Sequence, residues 1–73
     1  MNIYEEFLED EMKVFYLSLP EDKRRLYAAI ESDKIGNGGV QYISNLFSCS
    51  SATIIKGKRE LEEEREKKSQ KFL

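Results

Sequence analysis

The run Ser48-Cys49-Ser50-Ser51 most constrains what this chain can fold into, because it interrupts a helical pattern that is clear on both sides of it. Short hydroxyl side chains compete for backbone hydrogen bonds and favour turns and N-caps over helix interiors. Before the break, Val40, Ile43 and Phe47 fall three and four apart and share one helical face. After it, Ile54 and Leu61 are seven apart and return to a single face. The stretch Val40–Leu61 therefore predicts two short helices joined by a tight turn. That is a helix-turn-helix, whose second helix can enter the DNA major groove. Any small helical bundle also folds this way, and most such pairs touch no DNA.

The chemistry of the second helix favours DNA. With Ile54 pointing inward and a step of about 100° per residue, Ala52, Lys56 and Arg59 lie on the outward side. Ser51 and Ile55 flank them. From Cys49 to Arg59 there are three basic residues and no acid. A face of small, hydroxyl and cationic side chains suits close approach to base edges and phosphates. Ser51, Ala52, Ile55, Lys56 and Arg59 are thus the expected DNA-facing residues. Lys23-Arg24-Arg25 forms a further basic cluster, from which Arg24 and Arg25 are expected on phosphates. The competing reading of that cluster is a solvated face balancing Glu21 and Asp22.

At 73 residues the chain is one domain, enough for a three- or four-helix core and too short for an ordinary enzyme fold. One cysteine, Cys49, allows no internal disulfide, and the absence of histidine removes zinc sites and His-dependent catalysis from consideration. Neither a metal nor another cofactor is expected, nor catalytic activity. Cys49 reads as a small half-buried turn residue, with a thiol activated by a helix N-terminus as the alternative. No apolar run approaches a membrane span of roughly 18 residues, and Glu5, Glu6 and Glu9 spoil a signal-peptide reading. A cytoplasmic protein is expected, if the source is bacterial.

The net charge of −2 argues against indiscriminate nucleic-acid binding. The sign is unevenly distributed, however. Residues 1–22 hold seven acids against Lys13 alone, whereas residues 23–73 hold eleven bases against seven acids. A local basic face therefore remains compatible with an acidic chain.

Four helices are expected, near residues 2–17, 20–34, 40–47 and 50–65. The first is amphipathic through Tyr4, Leu8, Met12 and Phe15, with Asn2 as its cap and acids in its first turns. It can lid the core or bind a partner. Ser18 with Glu21 makes a capping-box pattern around Pro20 for the second helix, whose inner face is expected at Leu26, Ala29 and Ile30. Gly36-Asn37-Gly38-Gly39 then ends that helix and re-aims the chain. It lacks the strand and the GK[ST] ending of a phosphate loop. The expected core is Leu19, Leu26, Ile30, Val40, Ile43, Phe47, Ile54 and Leu61, helped by Leu8, Phe15 and Leu46. Residues 62–71 carry no apolar side chain and continue the last helix at most through charge pairs.

Three pieces, RRLYAA at Arg24–Ala29, GNGGV at Gly36–Val40 and SSATIIKGKREL at Ser50–Leu61, resemble the N-terminal region of bacterial insertion-sequence transposases. The similarity is to the Rhodopirellula-type DDE transposase family and covers Leu19–Leu61. That resemblance implies a helix-turn-helix that recognises terminal-repeat DNA, placed ahead of an RNase-H-like domain with three metal-binding acids. Two positions depart from the family pattern: Ser48 stands where glycine is usual, and Lys58 where an apolar residue is common. The catalytic acids have no counterpart here, since Glu62, Glu63 and Glu64 are adjacent on one exposed helix.

The expectation is thus an all-α protein with a trihelical helix-turn-helix core and an extra N-terminal amphipathic helix. Residues 1–18 form the accessory helix, 19–61 the helix-turn-helix domain and 62–73 a charged linker. It would be the DNA-binding part of a truncated or stand-alone transposase, acting on double-stranded DNA without cutting it, with room for a homodimer. A small regulatory or protein-interaction module that binds no DNA is the alternative from another class.

Overall fold

A computed structural model describes residues 3–71, with side-chain environments through residue 68. The described chain is all-α: α1 Glu6–Ser18, α2 Glu21–Ile35, α3 Gly39–Phe47 and α4 Ser51–Lys71. No strand occurs among the described residues. Helix α2 is the hub, packed on by α1, α3 and α4, while α1 reaches α3 as well and does not pack on α4.

Each break in the sequence becomes a physical joint. Gly36 has φ +82°, a region that side chains with a Cβ rarely adopt, and its N–H donates to the Ser32 carbonyl at 3.1 Å. Gly38, also at φ +82°, precedes α3, and Gly39 lies so close to the Ser32 backbone that a Cβ could not be accommodated. The glycines thus let α3 start against the end of α2.

The joint between α1 and α2 differs from the capping box expected there. Ser18 is the last residue of α1, and its hydroxyl donates to the Phe15 carbonyl at 2.6 Å. It is therefore not available to cap α2, which begins after Pro20 without a side-chain cap. Arg24 closes α1 instead. Its Nε and Nη2 donate to the carbonyls of Tyr16 and Leu17 at 3.1 and 2.8 Å, with the guanidinium 5.6 Å from the Tyr16 ring centre. The last turn of α1 has no base of its own, so Arg24 supplies both the donors and the positive charge that a helix C-terminus needs. The first helix begins at Glu6, later than expected; its proposed cap, Asn2, lies outside the described residues.

The core consists of Met12, Tyr16, Ala28, Ala29, Ile43, Phe47 and Ile54. Phe47 is its aromatic centre, stacked on Tyr16 at 4.3 Å and on Tyr27 at 5.7 Å between ring centroids. Ile43, Phe47 and Ile54 match the expected core. Ile30, Leu8 and Phe15 do not, being 45%, 41% and 50% exposed, and Leu19, Leu26, Val40, Leu46 and Leu61 are only partly buried. Helix α2 is rotated about a third of a turn from its expected orientation, presenting Ala28, Ala29 and Ser32 inward. The reason is the closeness of α4. At Gly57 a Cβ would strike the Arg25 carbonyl oxygen and sit 3.2 Å from the Ala29 Cβ. A seam of alanine and glycine permits that approach; one of leucine and isoleucine would not.

A buried acid joins the N-terminal segment to this hub. Glu31, 7% exposed, accepts from the Tyr4 hydroxyl at 3.3 Å and pairs with Lys34 at 3.2 Å. The Tyr4 N–H donates to the Tyr42 hydroxyl at 3.2 Å, and that hydroxyl donates to the Glu9 carboxylate. Burial, and then the neighbouring Glu31 carboxylate, pushes the Tyr27 hydroxyl up to about 12.

Candidate nucleic-acid interface

The turn before α4 is built as its residue types dictate. Ser48 takes a left-handed conformation at φ 54°, ψ 42°, and the Cys49 N–H donates to the Ser44 carbonyl at 3.0 Å, closing α3. A glycine would take this left-handed conformation without the strain that the serine Cβ brings. Ser50 then caps α4: its Oγ accepts the Thr53 N–H at 3.1 Å and lies 2.9 Å from the Thr53 hydroxyl. Three residues, Ser48 to Ser50, connect the two helices.

The phase of α4 follows from Ile54 and Gly57, both buried. Ser51, Ala52, Ile55, Lys56 and Arg59 all fall on the opposite side and are all exposed. They span about 140° of the helix surface, centred across from the buried seam. Among the described residues neither Lys56 nor Arg59 is in an ion pair. The structure thus brings these five side chains onto one open surface. Lys58 lies at the core edge, half-buried, and directs its ammonium to Asp33 at 3.2 Å.

Arg24 and Arg25 are placed differently from what their sequence cluster suggests. Both line an open groove of about 370 Å³ at the start of α4, together with Glu21, Ser50, Thr53 and Lys56. Yet Arg24 holds the end of α1, as described above. Arg25 meets Glu60 through two parallel contacts, Nε to Oε1 at 3.0 Å and Nη2 to Oε2 at 3.1 Å. That fork holds the Glu60 carboxyl below the usual carboxylate range. Arg25 is therefore a clasp between α2 and α4, with its charge already matched. Arg24 carries no ion pair among the described residues and keeps unused N–H donors.

Cys49 is half-buried beside Tyr16, and burial pushes its thiol up, away from the thiolate a reactive cysteine needs. Two exposed residues of α3 were missed in the sequence: Gln41 and Asn45, joined Nε2 to Oδ1 at 3.3 Å on the helix leading into the turn. Their polar i, i+4 spacing outside the Ile43–Phe47 stripe was the available signal. Among the described residues no group of three or more His, Cys, Asp or Glu side chains converges on a point that could hold a metal ion. Among them no helix is long and apolar enough to cross a membrane.

No family model matches the chain, and no curated protein or solved structure matches it significantly.

Proposed function

We propose that the chain is a sequence-specific double-stranded DNA-binding module of helix-turn-helix type, with α4 as the helix that enters the major groove. The observation that carries this reading is the open side of the first half of α4, where Ser51, Ala52, Ile55, Lys56 and Arg59 are exposed with no acid among them; Glu62, Glu63 and Glu66 continue that side only beyond Arg59. Ser51 and Ala52 in the first turn are small enough to admit a base edge, Ile55 can meet a thymine methyl, and Arg59 can fork onto a guanine. Lys56 and the remaining donors of Arg24 flank the groove at the start of α4 and suit phosphates. Arg25 is left out of the contact set, because Glu60 already occupies its fork.

The resemblance of Arg24–Ala29, Gly36–Val40 and Ser50–Leu61 to transposase N-terminal regions supports a narrower role, recognition of the terminal repeats of an insertion element. On that reading the chain binds the element ends and takes no part in strand cutting.

With Lys56 and Arg24 on phosphates, and Arg59 as a third where it touches the backbone instead of a base, about two to three phosphates would be neutralised, and the logarithm of affinity should fall with the logarithm of salt with a slope of about −2 to −3. The test is selection from a random duplex library at low salt, followed by titration of the enriched duplex beside its scrambled version. The expected result is preferential binding to the enriched duplex. Arg59→Ala should lower discrimination at one base pair by about 1–3 kcal/mol. Equal binding to both duplexes, or no enrichment at all, would reject the proposal.

A further inference from the structure

Helix α4 keeps one side open to solvent along its described length, and the sign of that side changes at Arg59. Ser51, Ala52, Ile55, Lys56 and Arg59 occupy it first. At about 100° per residue, Glu62, Glu63 and Glu66 fall within the same arc of about 140°. All three acids are exposed and in no ion pair among the described residues. Beyond Arg59 no base of the described residues shares that arc with them. Arg65 and Lys68 turn to the inner side, towards Asp33 and Lys58, and Lys67 flanks the arc with its ammonium 3.7 Å from Glu64.

The change of sign comes one groove width along the helix. From Ser51 to Arg59 the helix advances about 12 Å, close to the width of a major groove, and Glu66 lies about 10 Å farther on. Laid lengthwise on a duplex, α4 would set three unpaired carboxylates beside phosphates. Entered by its first turns, with the second half leaving the surface, it keeps them clear of the backbone. Non-cognate duplex is held by phosphate contacts alone, so a lengthwise pose would otherwise be its natural mode of binding. We infer, on the reading of α4 as the groove-entering helix, that Glu62, Glu63 and Glu66 are specificity-determining residues. They repel DNA from every pose of α4 except entry by its N-terminal end, and so weaken non-cognate binding more than cognate binding. Discrimination then comes from a repulsive element as well as from the contacts made by Ser51, Ile55 and Arg59.

The experiment titrates the full chain and two variants of equal charge against the selected duplex and its scrambled version. One variant combines Glu62→Gln, Glu63→Gln and Glu66→Gln. The other combines Glu6→Gln, Asp10→Asn and Glu11→Gln, three exposed acids of α1, a helix that does not pack on α4. Circular dichroism checks that both remain folded, as their exposed positions allow. At low salt the α4 variant should bind the scrambled duplex about tenfold more tightly and the selected duplex at most about twofold more tightly, so that discrimination falls about fivefold. The difference should fade as salt is raised. The α1 variant should keep the parental discrimination. Unchanged affinities or equal gains on both duplexes overturn the inference, as does an equal loss of discrimination in the α1 variant, which would make net charge the cause. Weaker binding of the selected duplex by the α4 variant also overturns it, since the acids would then touch DNA or hold Arg59. Each of these leaves the parent selective and the reading of α4 standing, whereas a parent that binds both duplexes alike removes the two together.

Discussion

Replacing Gly57 by alanine separates helix propensity from packing, because the two act in opposite directions at that position. In an isolated helix the substitution is favourable by about 1 kcal/mol, since glycine loses more backbone freedom on folding. In the folded chain the new Cβ would overlap the Arg25 carbonyl oxygen, lie 2.9 Å from its carbonyl carbon and 3.2 Å from the Ala29 Cβ. The obstacle is backbone inside α2, so no rotamer change relieves it, and α4 must back away along the seam. Overpacking of a tight interior costs about 1–3 kcal/mol, and an unyielding neighbour places this case at the upper end. Subtracting the propensity gain leaves a loss of about 2 kcal/mol. For a domain of this size that lowers Tm by about 8–16 °C. The assay is thermal and urea unfolding of the full chain by circular dichroism, beside a peptide covering 51–68. Gly57→Ala should raise the helicity of the peptide and lower the stability of the chain. Ala29→Gly in the same chain should fail to rescue it, because the carbonyl remains. A Gly57→Ala chain more stable than the parent by about 1 kcal/mol would refute the close α2–α4 approach.

Ser48→Gly should stabilise the chain by up to about 1 kcal/mol, the relief of a left-handed non-glycine residue less the greater flexibility of glycine when unfolded; a drop in urea midpoint would contradict the φ of 54°. Phe47→Ala should cost about 3–5 kcal/mol and largely unfold the protein, since Phe47 stacks on both Tyr16 and Tyr27; an unchanged melting transition would place the core elsewhere. Tyr27 is raised to about 12, so folded and unfolded chains both keep its proton at neutral pH, and above about pH 10 the unfolded chain alone loses it. Stability should therefore fall from about pH 10 towards 12, with tyrosinate absorbance rising together with unfolding, and Tyr27→Phe should flatten that fall.

The helices and the turn were legible in the sequence because they depend on local chemistry. A spacing of three and four at Val40, Ile43 and Phe47, a serine run that cannot continue a helix, and two glycines of positive φ in the joint between α2 and α3 each act within a few residues. The same locality made the outward side of α4 legible: with Ile54 buried, the period of the helix alone places Ser51, Ala52, Ile55, Lys56 and Arg59 in solvent. Tertiary structure decided what depends on a neighbour distant in sequence. Hydrophobicity favoured Leu26, Ala29 and Ile30 as the inner face of α2, and of these only Ala29 is buried, because α2 also needs a surface against which Gly57 can lie, which Ala28, Ala29 and Ser32 supply. Arg24 and Arg25 read identically as charges in a row. Their different employment, one closing α1 and the other clasping Glu60, arises only when α1 and α4 arrive on opposite sides of their neighbourhood. Side-chain period is a property of one helix, whereas the distance between two backbones belongs to the pair.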